Sequence, residues 1–148
     1  MKREIPQEAR SVVERLASAL EDKSDVELAI LFGSHAAGQA RPDSDTDVAV
    51  LFSGSPTMED LAQRVLSLEH ALATSLRTAQ IHLSQLNQVD ALFLHQVVTK
   101  GVPIFVRDQR RLADLELRAI KRYLDTTRFR DAEWRALRAA ASRPLIDD

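Results

Sequence analysis

Cysteine is absent from all 148 residues, so the chain has no disulfide framework, no thiolate metal site and no cysteine nucleophile. Any metal must be held by oxygen or by histidine nitrogen, which makes the carboxylates the first place to look. Aromatic residues make up only 5% and the net charge is −2, a balance that speaks against direct nucleic-acid binding. No apolar run approaches the length needed to cross a bilayer, and the segment MKREIPQEAR lacks the apolar region of a secretory signal, so a cytoplasmic protein is expected. What is present, 45% hydrophobic and 28% charged residues, is the composition of one globular domain over 1–148.

The small net charge conceals an asymmetry. Residues 1–106 carry nine Lys and Arg against fourteen Asp and Glu, a net of −5; residues 107–138 carry ten against six, a net of +4. A basic segment of this kind suits nucleic acid, an acidic protein partner or simply solvated helix faces, and arginines alternating with Asp and Glu favour the last.

Along the chain, Pro6 stands at a first-turn position and Ala9, Val12, Val13, Leu16, Ala17 and Leu20 recur at helical spacing, predicting an amphipathic helix that ends near Glu21 to Ser24. ELAILFG (27–33) and TDVAVLFSG (46–54) read as buried strands. Thr57 to Asp60 reads as a helix cap, with Leu61, Val65, Leu68, Leu72 and Leu76 as the stripe of a long helix. AQIHLSQL (79–86) alternates like a third strand. A helix through Val89 to Lys100 ends at Gly101 in the position of a C′ cap, and VPIFV (102–106) makes a fourth strand. Leu112, Leu115, Ala119, Ile120 and Tyr123 stripe a further helix, and Asp131 to Ala141 forms a separate last one. The expected fold class is α/β (α+β): a small mixed sheet with flanking helices over 1–106, and a C-terminal helical extension over 107–148.

The stretch GSHAAGQARPDSDTDVAV (33–50) carries the chemistry. Residues two apart in a strand share a face, so Asp45 and Asp47 stand side by side where the second strand begins. Like charges that close repel unless a cation lies between them. Mg²⁺ takes a few carboxylate oxygens together with substrate phosphates and water, so the pair suits a nucleotide-bound ion. Gly33 and Ser34 end the preceding strand and lead into a helical turn, offering backbone N–H groups and a hydroxyl to phosphates. Each half alone is weak, since segments such as RPDSDTD often carry Asp and Ser as local caps. Their combination is far more specific.

Gly33-Ser34, ten residues, then Asp45-x-Asp47, with Gly38, Arg41 and Ser44 between them, resembles the minimal nucleotidyltransferases (MNT domains) of the DNA polymerase beta superfamily. The resemblance extends over LNQVDALFLHQVVTKGVPIFVRD (86–108) and RAIKRYLDT (118–126), most of the chain. It implies a polymerase beta-like nucleotidyltransferase fold that transfers a nucleoside monophosphate from an NTP, here ATP, to a hydroxyl. By the same resemblance Gly33 and Ser34 bind the β- and γ-phosphates, Asp45 and Asp47 hold Mg²⁺, and Arg41 and Ser44 either support the loop or touch the phosphates. Many small members are antitoxins that add AMP to a tyrosine of a HEPN-domain ribonuclease toxin, which makes such a toxin the implied partner.

The superfamily uses a third carboxylate on the strand after the long helix, and His82 occupies that position here, with Gln80 and Ser84 on its face and no acid among them. Three explanations stand: His82 acts as a neutral base for the acceptor hydroxyl; the register differs and Asp90 supplies the acid, although Asp90 reads as a helix cap; or the second metal site is missing and the protein neutralises its partner by binding alone. A small-molecule nucleotidyltransferase is the remaining alternative, disfavoured by the lack of an evident second domain. His35 lies near the triphosphate or faces solvent. His70 and His95 read as surface or packed residues, and Trp134, among Arg130, Arg135 and Arg138, either anchors an interface or closes a small core under the last helix.

Overall fold

The computed structural model describes residues 4–41, 43–78 and 80–142. Pro6 precedes a short 3-10 turn, Gln7–Ala9, which runs into α1 (Arg10–Leu20). The order continues β1 (Val26–Phe32), α2 (Gly33–Ala36), β2 (Thr46–Phe52), α3 (Met58–Leu76), β3 (Ile81–Gln85), α4 (Ala91–Lys100), β4 (Val102–Val106) and α5 (Gln109–Ala141). The third strand is shorter than the expected 79–86, and Ala79 lies outside the described residues, as do 143–148 of the C-terminal extension.

The four strands form one sheet in the order β3-β2-β1-β4. β1 pairs antiparallel with β2 and β4, and β2 pairs parallel with β3. A parallel pair needs a crossover, and α3 supplies it. Side chains alternate between the two faces. Val48, Val50 and Phe52 of β2 point into a core with Leu16 and Leu20 of α1 and Leu61, Leu68 and Leu72 of α3. Ala49 and Leu51 point the other way, into a core with Leu94 and Val97 of α4 and Leu115 and Ala119 of α5. By the same alternation Asp47 belongs to the α4/α5 face.

Local chemistry explains the ends of these elements. The Thr57 side chain accepts a hydrogen bond from the Asp60 N–H at the start of α3, and Asp90 accepts one from the Phe93 N–H at the start of α4. Asp90 is therefore a cap, as its position suggested. β3 lies at the sheet edge, and the Glu69 carboxylate of α3 accepts from its Leu83 N–H at 3.0 Å. The Asn87 side chain both accepts from the Phe52 N–H (2.9 Å) and donates to the Phe52 carbonyl (2.8 Å), standing in for a strand at the end of β2.

α4 ends at Lys100 with Gly101 as its cap, as expected, and the Gly101 backbone there is extended, with φ −77° and ψ 169°. It is glycine because a Cβ there would collide with the Ile30 side chain and the Val97 carbonyl, so the α4–β4 junction lies directly on β1. The two helices expected after residue 107 are one, α5, 33 residues long. No Gly or Pro interrupts LDTTRFR, and hydroxyls of Thr126 and Thr127 donate to the Tyr123 carbonyl while the Arg130 guanidinium donates to both hydroxyls. Polar residues there are bonded back onto the helix rather than unwinding it. Beyond Arg130 the described part of α5 is exposed throughout.

Candidate functional site

β1 ends at Phe32, and Gly33 turns the chain into α2 with φ +72°, a left-handed conformation that side chains with a Cβ rarely adopt. Phe32 pairs with Asp47 across the β1–β2 ladder, so the turn lies beside the first residues of β2. The contact is close: a Cβ on Gly33 would stand 2.5 Å from Asp47 Oδ2. Ser34, the next residue, is half-buried, and the first turn of a helix leaves N–H groups without intrahelical partners. The glycine-serine turn and the Asp47 carboxylate thus share one corner of the sheet. Asp45 is exposed just ahead of β2. On the other side of β2, the parallel register sets His82 directly opposite Asp47, with Nδ1 3.8 Å from Oδ1.

Residues 14–110 match the polymerase beta nucleotidyltransferase family. The chain belongs to that family. The glycine-serine turn and Asp47 come from adjacent strands of the mixed sheet. No curated protein matches the chain by sequence. The fold is shared with solved toxin–antitoxin structures. One, a toxin–antitoxin with AMP-PNP, is 23% identical at a TM-score of 0.67, the alignment covering 84% of this chain and 97% of that one. A second, the MntA–HepT pair, is 21% identical at a TM-score of 0.65, covering 86% and 97%. A third, a tri-AMPylated Shewanella oneidensis HEPN toxin with its MNT antitoxin, is 20% identical at a TM-score of 0.58, covering 86% and 93%.

The ten-residue loop of this nucleotidyltransferase is tied to itself. The Arg41 N–H donates to Ser44 Oγ at 2.8 Å and the Ser44 N–H donates to the Arg41 carbonyl at 3.0 Å. Of the two roles expected for Arg41 and Ser44, these bonds display loop support. His35 adds a link that sequence reasoning missed, its Nε2 lying 3.4 Å from the Ser44 carbonyl. Adjacency to Ser34 was its only signal. Gly38, at φ +70°, turns the loop beside Pro6.

The donor set suits an ion brought in by a nucleotide. Among the described residues no three His, Asp or Glu side chains gather tightly enough to hold a metal alone. Asp45 and Asp47 could hold an ion only together with further ligands, and phosphate oxygens and water are those that Mg²⁺ prefers. The site is open to solvent, with Gly33, Asp45 and His82 exposed. Two concavities of the described surface are lined by Asp25, Asp60 and Arg64, and by Glu14, Arg15 and Ser75.

The other expectations resolve simply. His70 is exposed, and His95 stacks on Tyr123 with ring centroids 3.8 Å apart. The Arg130 guanidinium covers the same Tyr123 ring at 4.0 Å, so His95 is a packing residue. Trp134 belongs to neither core of the described residues; it is 61% exposed on the last third of α5. No helix among the described residues is long and apolar enough to cross a membrane.

Proposed function

We propose that this nucleotidyltransferase is an antitoxin that transfers AMP from ATP to a tyrosine hydroxyl of a HEPN-domain toxin. The observation that carries the reading is the contact between Gly33 and Asp47, which joins a phosphate-binding turn to an ion-binding carboxylate. The shared fold with toxin–antitoxin structures points to the acceptor. Gly33 and Ser34 hold the β- and γ-phosphates through backbone N–H groups and the hydroxyl, while Asp45 and Asp47 hold Mg²⁺. Once bound, the ion neutralises charge on the phosphates being separated. The acceptor oxygen attacks the α-phosphorus in line, the bond from that phosphorus to the β-phosphate oxygen breaks, and pyrophosphate leaves with its electron pair. The hydroxyl proton passes to water, which the open site admits. That openness also favours a protein acceptor, which brings its own walls, over a small molecule that needs an enclosing pocket.

The C-terminal half of α5 is the candidate docking element for the toxin, with exposed Phe129, Trp134 and Leu137 set among arginines. A second reading, an antitoxin that neutralises its toxin by binding alone, draws support from His82 where the family resemblance implies a carboxylate. Incubation of the toxin with this chain, ATP and Mg²⁺, followed by intact mass of the toxin, separates the two. A gain of one or more AMP units, absent with the Asp45→Ala, Asp47→Ala double variant, supports transfer; a tight complex with no mass gain supports binding alone.

A further inference from the structure

The two oxygens of Asp47 face different neighbours. Oδ2 packs against Gly33 at the phosphate-binding turn, whereas Oδ1 points across to Nδ1 of His82 at 3.8 Å. That separation is too long for a hydrogen bond. Neighbouring ligands of one octahedral ion stand about 3 Å apart when each bond is about 2.1 Å, so the exposed imidazole reaches an ion held by Asp47 Oδ1 after an inward shift of about 0.8 Å. The groups are accessible, with 66% of the His82 side chain and 30% of that of Asp47 exposed. The juxtaposition is built into the backbone, since Asp47 and His82 are direct partners in the parallel β2–β3 register.

We infer that His82 is a metal ligand, and that the ion shared by Asp47 Oδ1 and His82 Nδ1 is a first-row transition ion, typified by Mn²⁺, in preference to Mg²⁺. The inference rests on the proposed nucleotide site, since phosphates complete the shell. Mg²⁺ takes oxygen ligands almost exclusively, whereas imidazole is a good ligand for transition ions, and Mn²⁺ keeps the octahedral oxygen chemistry that phosphates require. An imidazole that coordinates through Nδ1 carries its proton on Nε2 and has no lone pair left to accept another. His82 then serves as a ligand and not as the base for the acceptor hydroxyl.

The test is Mn²⁺ binding by electron paramagnetic resonance in the presence of α,β-methylene-ATP, with Mg²⁺ as competitor and spin-echo modulation to detect nitrogen bonded to the ion. Wild type, His82→Asp, His82→Ala and Asp47→Ala are compared, circular dichroism confirming that each is folded. The expected results are a Mn²⁺ over Mg²⁺ preference of about tenfold or more in wild type, nitrogen modulation that disappears in both His82 variants, and Mg²⁺ competing on near-equal terms in His82→Asp. Nitrogen modulation that persists in His82→Asp comes from adenine or His35 and overturns the inference, as does an unchanged ion preference. In either of those cases binding still lost in Asp47→Ala leaves the nucleotide site itself standing. Absence of any nucleotide-dependent Mn²⁺ binding, with Asp47→Ala equal to wild type, overturns both the inference and the proposed site.

Discussion

Gly33 and Asp47 are in contact through the space a side chain would fill: the Cβ of any other residue at 33 would lie 2.5 Å from Asp47 Oδ2. The left-handed backbone of Gly33, φ +72°, adds a second demand for glycine at the same position. Gly33→Ala is expected to cost about 1 to 2 kcal/mol of stability from the backbone alone. It is also expected to displace the Asp47 carboxylate and lower AMP transfer by about a hundredfold, since a misplacement near 1 Å can cost that much. Thermal unfolding and a transfer assay on the same preparation check both parts.

Asp47→Ala and Asp45→Ala separate chemistry from folding. Asp47 is half-buried, Asp45 is exposed and neither belongs to a core cluster. Stability should change by no more than about 0.5 kcal/mol in either variant. Transfer should fall to background in Asp47→Ala. Residual activity near wild type in that variant contradicts the metal assignment.

Asn87 predicts the reverse pattern. Its amide satisfies both the N–H and the carbonyl of Phe52, at the end of β2 remote from Asp47. Asn87→Ala leaves both backbone groups without that partner and should destabilise the fold by about 1 to 3 kcal/mol. ATP affinity of the folded fraction should be unchanged. Chemical denaturation and nucleotide titration decide it.

Gly101→Ala tests the close approach of the α4–β4 junction to β1. The added methyl meets the Ile30 side chain and the Val97 carbonyl. Overpacking of this kind costs about 1 to 3 kcal/mol. A variant as stable as wild type would show that the junction can move aside.

Trp134 is the single tryptophan, which gives the last third of α5 its own fluorescence reporter. Being exposed and outside both cores, Trp134→Ala should leave the melting temperature unchanged. If α5 docks the toxin, emission from Trp134 should shift to shorter wavelength in the complex, and the substitution should weaken binding by about 2 kcal/mol or more. An emission spectrum unaltered by a bound toxin would place the interface elsewhere.

Much of the frame was legible because it is local. Alternation in TDVAVLF put Asp47 on the face of Ala49 and Leu51, and Thr57 and Asp90 capped helices where their positions indicated. Gly101 looked like a helix stop because a glycine after an apolar stripe usually is one. Its reason lies in Ile30, 71 positions away, which no local pattern reveals. The continuity of α5 was missed because the apolar stripe stops at Tyr123 and the next helix was read only from Asp131, whereas Arg130 and the Tyr123 carbonyl bond the Thr126 and Thr127 hydroxyls within one helix.

The chain by itself determined the glycine-serine turn, the spacing to Asp45 and Asp47, and the face of the strand that carries Asp47, because strand periodicity and turn chemistry act over a few residues. Tertiary structure alone decided what faces them. The parallel register of β2 and β3, set by the packing of the α3 crossover on the sheet, is what brings His82 to Asp47. Register between strands joined by a long crossover depends on which side chains the core accepts, and that is a property of the whole fold.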